Sequence, residues 1–308
     1  MGAVCLMLAA GAGGMPLASS GPAGPSGVSG STGPSAASGP TGSSTATGSS
    51  GATGVTPPTP QAGLYRPVGC RPVADPRVYS HGPDTHAVAI SLDDGPSRYT
   101  ASFVRMFKAN RVRVTFFEIG RQITPIYRAT MRLALRDGDA IGDHTWSHPR
   151  LTAVSDVAAQ LSRTVAAVRS MTGYAPCVFR PPYGAYTPAI VATASSLGLA
   201  TVLWNVDPSD YLQPGVAAIE QRVLAQVRPG SIIDTHDGGG ARWQTLAAYP
   251  YIIRALRARG YRFETVPQLL GFRTIYERCR GLGCLGEGMP GPLPRGAIVE
   301  SGTSAAAS

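Results

Sequence analysis

No charged side chain occurs before Arg66 in this chain of 308 residues. Gly, Ser, Thr, Pro and Ala fill most of that stretch, which excludes a packed core there: too little apolar surface is available to offset the entropy of ordering the chain. Residues 21–62 read as a Gly/Ser/Thr/Pro linker, with a reach on the order of 130 Å at ~3.1 Å per residue when fully extended. No run approaches the 18 or so apolar residues of a membrane span, so no transmembrane span is expected. Lysine is nearly absent. Lys108 is the only one, and the formal net charge of +9 is carried by arginine. No basic block with interleaved aromatics and no nucleic-acid module signature is found, which argues against nucleic acid as a partner. The charge then reads as a soluble basic surface or as attraction to a polyanion such as a cell-wall polymer.

Cysteine is scarce, with five in all. Apart from Cys5 they are Cys70, Cys177, Cys279 and Cys284, an even set that suggests two disulfides in an exported chain. The close spacing in CRGLGC favours Cys279–Cys284 and leaves Cys70–Cys177. Three connectivities are open, as are unpaired buried thiols. No CxxC is present, which argues against a cysteine zinc site. Residues 1–20 hold a short apolar run followed by small residues, like the core and cleavage site of a secretory signal, but lack its positive start. They read as a signal or anchor segment whose true start lies upstream, or as more linker. Together these features predict a secreted or cell-wall-associated protein.

Between residues 63 and 272, strand-like and helix-like stretches alternate. The run from His86 to Leu92, VRVTFFEIG (112–120), DAIGDHTWSH (139–148), CVFRPPYG (177–184), ATVLWNVDPSDY (200–211), GSIIDTHDG (230–238) and YRFETV (261–266) read as strands with loaded turns. Helices are expected over 125–136, 155–171, 188–198, 215–227 and 243–259. On the helix over 155–171, Val157, Ala158, Leu161, Val165, Val168 and Met171 share a face. This rhythm predicts an α/β fold with a parallel sheet or barrel, whose site lies at the C-terminal strand ends. The Gly- and Pro-rich tail, 273–308, is expected to be poorly ordered apart from Cys279 and Cys284.

Chemistry-bearing residues gather at those turns. In SLDDGP (91–96), Asp93 and Asp94 follow a strand. Two unpartnered carboxylates there would repel, so a cation is expected beside them. HTWSH places His144 and His148 four apart, able to face one side. Two histidines, a carboxylate and water form a familiar catalytic zinc set. The glycines of HDGGGARWQT (236–245) lack the Lys-Ser/Thr pair of a phosphate loop and read as a tight turn beside His236.

In this combination the chain resembles the polysaccharide deacetylases of carbohydrate esterase family 4. SLDDGP matches that family's T-F-D-D-G-P, HTWSH its H-[ST]-x-x-H, and RPPYG (180–184) its R-x-P-[YF]-G. DPSDY (207–211) approximates D-x-x-D-W, and IIDTHD (232–237) its last motif, L-x-H. The resemblance spans about residues 86–266. It implies a distorted (β/α) barrel of about seven parallel strands and one divalent metal, usually zinc, with cobalt or another divalent ion also possible. Asp94, His144 and His148 would hold the metal. Asp93 would be the general base, held by Arg180. His236 would be the general acid, oriented by Asp210. Tyr183 would offer a backbone N–H to the oxyanion, with core packing of its ring as the alternative.

Two positions depart from the pattern: Tyr211 stands where the family has Trp, and Asp234 where it has Leu. Both side chains belong to the implied acyl slot. Asp234 is expected to contact His236 or the substrate, or else to point into a polar pocket. Glu118 and Asp143 read as supporting or solvent-facing. The implied activity is removal of N-acetyl groups from an N-acetylhexosamine polymer, with cell-wall peptidoglycan the favoured glycan and a monomer expected. The alternatives are an O-acetyl esterase on a xylan-like glycan, or a glycan-binding module with a degenerate site.

Overall fold

A computed structural model describes residues 65–72, 76–278 and 297–300. The expectations for residues 1–20 and 21–62 and for Cys279–Cys284 lie outside these. The organising strand is β3 (Ala87–Gly95), whose residues from Ala87 to Asp93 are all buried. Ile90 and Leu92 are fully buried, each contributing about 1.5–3 kcal/mol of apolar burial. On one side β3 pairs with β4 (Thr115–Glu118), and on the other with β8 (Ile232–His236).

The sheet continues from β4 through β5 (Ala140–Asp143), β6 (Val178–Phe179) and β7 (Ala200–Val202) to β2 (Val78–Tyr79). All these ladders are parallel. The seven strands curl toward closure, and isolated bridges His81–Ser231 and Val206–Ile233 join segments next to the two edges. This is the expected distorted (β/α) barrel. A two-residue strand, β9 (Arg262–Phe263), pairs with the N-terminal end of β3.

Helices cover the outside, where strand residues would otherwise meet water. One core joins Val88, Ile90 and Leu92 to Phe103, Phe107 and Tyr249, residues of α1 (Thr100–Ala109) and α6 (Trp243–Ala258). The helices α2 (Arg128–Asp137) and α3 (Val157–Thr172) end at Gly138 and Gly173, both with positive φ. A glycine adopts that conformation at little cost. Next come α4 (Pro188–Ser196), started by Thr187, and α5 (Val216–Gln226).

Two expectations are corrected. The chain beyond 272 carries structure among the described residues. There β10 (Arg273–Arg278) pairs antiparallel with β1 (Tyr65–Arg71) and parallel with β11 (Ile298–Glu300). The buried face of α3 also differs, since Ala158 is exposed while Gln160 and Thr164 are buried. The reason is polar: Gln160 Oε1 accepts from Ser147 N and Oγ, at 3.0 and 3.1 Å, and so supports the histidine loop.

Cys70 and Cys177 form a disulfide across 107 residues, tying β1 to the start of β6. Closing so long a loop stabilises by roughly 2–4 kcal/mol. At about 2–4 °C per kcal/mol for a domain of this size, a reductant should lower the melting temperature by about 5–15 °C. The Cys70→Ala/Cys177→Ala double variant should melt low with or without reductant. Equal melting of the native protein in both conditions would refute the bridge's contribution.

Candidate active site

Alternation along a strand would send Asp93 and Asp94 to opposite faces. A bulge prevents this. Asp93 pairs with Phe117 and Gly95 with Glu118, leaving Asp94 as the extra residue at φ +71°. A bulge of this kind re-aims a side chain at the end of a strand. Gly238 packs against the turn so closely that a Cβ there would lie 1.8 Å from the Asp94 carbonyl oxygen.

His144 follows β5 and His148 sits four residues on, at φ +61°. His148 Nε2 lies 3.1 Å, and His144 Nε2 3.6 Å, from Asp94 Oδ1. One ligand atom from each of the three residues falls within 4.8 Å of the others. The donor chemistry fits a divalent metal. Asp94 Oδ1 is buried with no hydrogen-bond partner. His144 Nδ1 is 2.8 Å from the Arg180 carbonyl oxygen; a carbonyl can only accept, so Nδ1 carries the proton and Nε2 keeps its lone pair. Burial pushes the Asp94 carboxyl up, but the adjacent His148 and the charges of His144 and His236 outweigh it and hold the group well below the usual carboxylate range. Burial also lowers the pKa of His144, against the pull of Asp93 and Asp94. A neutral imidazole is the form that binds metal.

Asp93 is buried, and its Oδ1 accepts from Arg180 Nη1 at 2.8 Å. The same Nη1 donates to Asp234 Oδ1, also at 2.8 Å. The partner of Asp234 is thus Arg180, a contact not foreseen from the sequence; Asp234 acts on His236 through its charge. The Arg180 side chain is itself fully buried, over the Phe117 ring.

Across β3 and β8, His236 stands in register with Asp93. His236 Nδ1 lies 2.8 Å from Asp210 Oδ1. The other Asp210 oxygen accepts from His236 N and Thr245 Oγ1. Burial pushes His236 down, but the Asp210 hydrogen bond and the charges of Asp234, Asp210 and Asp93 raise it to about 10. Tyr211 sets its ring edge to face against His236, at 5.4 Å between centroids.

Tyr183 lies at φ +61° in the turn Pro182–Gly184. Its ring is 61% exposed and sits 4.9 Å from that of His148, so core packing is ruled out. The structure therefore brings all ten residues expected at the site to one end of the barrel, with Arg180 and Asp210 buried beneath its surface. Glu118 and Asp143 are buried, which corrects the solvent-facing alternative. Asp143 Oδ1 accepts from Thr145 N at 2.7 Å. Sequence reasoning missed Gln160, Thr245, Gln122, whose Nε2 donates to the Asp94 carbonyl, and Asp237. The Asp237 carboxylate accepts from Thr100 Oγ1. Only the position of Asp237, directly after His236, offered a signal.

A parallel barrel with a His-His-Asp cluster and an acid–base pair at its C-terminal mouth defines a hydrolase of the metal-assisted class. The polysaccharide deacetylase profile matches residues 81–202, and the chain belongs to that family. A chitooligosaccharide deacetylase of Bradyrhizobium is 35% identical over 208 residues, covering 63% of this chain and 94% of that protein. A peptidoglycan-N-acetylglucosamine deacetylase of Bacillus cereus is 34% identical over 194 residues, covering 60% and 89%. A solved peptidoglycan N-acetylglucosamine deacetylase bound to a naphthalenyl benzamide superposes with TM-score 0.61 at 30% identity, covering 63% of this chain and 92% of that one.

The Asp210 hydrogen bond and the surrounding negative charges keep His236 protonated up to about pH 10. Removing a negative neighbour lowers that limit. Asp210→Asn should move the alkaline limb of the pH–rate profile down by more than Asp234→Leu does, because only Asp210 adds a hydrogen bond. Profiles that coincide with the native one would refute this assignment of the acid.

Proposed function

We propose that this protein removes N-acetyl groups from an N-acetylhexosamine polymer, with cell-wall peptidoglycan as the glycan. The observation that carries the reading is the convergence of Asp94, His144 and His148 beside Asp93, with the His236–Asp210 pair in register on the next strand. A divalent cation held by those three residues, zinc in our reading, would supply Lewis acidity that acidifies water and polarises the acyl oxygen. Asp93, steadied by Arg180, accepts the proton of the attacking water. The backbone N–H of Tyr183 is assigned to the developing oxyanion. His236 holds Nδ1 toward Asp210, so Nε2 delivers the proton to the leaving nitrogen. The C–N bond breaks, releasing acetate and a free amine. Tyr211 and Asp234 border the acyl group.

A secreted or wall-associated monomer suits this substrate, and the Cys70–Cys177 disulfide supports an oxidising compartment. The test is acetate release from N-acetylated glycan by the full-length protein. Release should stop with a chelator, return with zinc or cobalt, and fall about 10²–10⁴-fold in Asp93→Asn. Glycan binding without chelator-sensitive release would overturn the reading and favour a binding module. Release only from acetylated xylan would favour the esterase.

A further inference from the structure

The rim of the mouth carries exposed arginines. Three exposed arginines, Arg121, Arg150 and Arg163, stand on the side of the histidine loop. None pairs with a carboxylate among the described residues. Arg150 lies one aromatic ring from the histidine cluster. Its guanidinium rests 5.1 Å from the centre of the Tyr183 ring, and that ring lies 4.9 Å from His148. The backbone around it is fixed at both ends. His148 belongs to the metal triad, and Leu151 is buried in a core with Leu161 and Phe179. Arg163 lies 4.1 Å over the Trp146 ring, and Arg121 N donates to the Trp146 carbonyl. On the His236 side Tyr211, Leu212 and Gln213 are exposed, and the exposed Arg222 donates to the Pro208 carbonyl oxygen.

A guanidinium laid on an aromatic face keeps its planar fork free for a carboxylate and loses little freedom on binding one. We propose that Arg150 is a specificity-determining residue. It receives a carboxylate carried by the glycan beside the reacting acetamide, so that the site prefers a carboxylate-bearing amino-sugar polymer, of the peptidoglycan kind, over neutral chitin. Arg121 and Arg163 extend the same cationic rim. This inference rests on the deacetylase reading for its substrate class.

The test measures binding and turnover together, with full-length protein. The glycans are purified peptidoglycan free of teichoic acid, the same material with its carboxyl groups amidated, and chitin. The native protein should bind native peptidoglycan about tenfold or more tightly than either carboxylate-free glycan, and added salt should narrow the gap. Arg150→Ala should abolish the preference. Arg150→Lys should retain part of it, since charge survives and the fork does not. A native protein that does not distinguish amidated from native peptidoglycan overturns the proposal, as does a preference that survives in Arg150→Ala. Acetate release scores the deacetylase reading separately. Discrimination without acetate sinks that reading and leaves the subsite, and acetate without discrimination does the reverse.

Discussion

One buried guanidinium organises the site. Arg180 is fully buried, and its Nη1 holds both Asp93 and Asp234. Its carbonyl oxygen sets the His144 tautomer. Asp93 and the His144 imidazole are thus positioned by two ends of the same residue, which follows the short β6. A charge so placed is tolerated only while paired, because removing one partner of a buried pair costs about 3–5 kcal/mol. Phe117 and Trp204 pack against the guanidinium and exclude water. The dryness that makes the charge expensive also strengthens its hold on Asp93.

The second constraint is geometric. A parallel barrel delivers its C-terminal strand ends to one mouth, yet strand alternation points neighbouring side chains apart. The chain meets this with left-handed backbone at non-glycine residues. Asp94, at the bulged end of β3, and Thr145, His148, Tyr183 and Ser209, on loops that follow strands at this mouth, all have positive φ. Each such residue costs of order 1–3 kcal/mol and persists only where its surroundings over-determine it. Here they do. Thr145 N donates to Asp143, His148 N donates to Thr145 Oγ1, and Gln160 braces Ser147.

Local pattern carried the elements whose burial is local. The apolar run of β3, the helices over 157–172 and 243–258, and the loaded strand ends all follow from periodicity and turn residues. The pairing of β1 with β10 was not legible, because it joins positions about two hundred residues apart with no shared local signal. The Asp234–Arg180 contact was hidden for the same reason: its partners are 54 residues apart. Gln160 and Thr164 were hidden differently. A polar residue on an apolar stripe reads as an interruption until its buried partner is known. The ten residues expected at the site lie on five motifs that the barrel brings to one end, and that convergence is a property of the barrel rather than of any single motif.

Charge at the mouth ties these threads together. Asp93, Asp94, Asp210 and Asp234 face one cationic arginine and the His236 imidazolium. Asp237 adds a fifth carboxyl that interacts with Asp94 and Asp93, so acids outnumber cations here. Burial and the Asp93 charge push the Asp234 carboxyl well above its usual range, against the pull of Arg180 and His236. A divalent cation at the Asp94–His144–His148 cluster would oppose that excess in sign and would act on the nearby carboxyls in the opposite sense to burial. Arg180 alone cannot compensate both of its carboxylates. The extra acid at position 234 therefore makes the electrostatics of this mouth more dependent on the metal than an apolar residue there would.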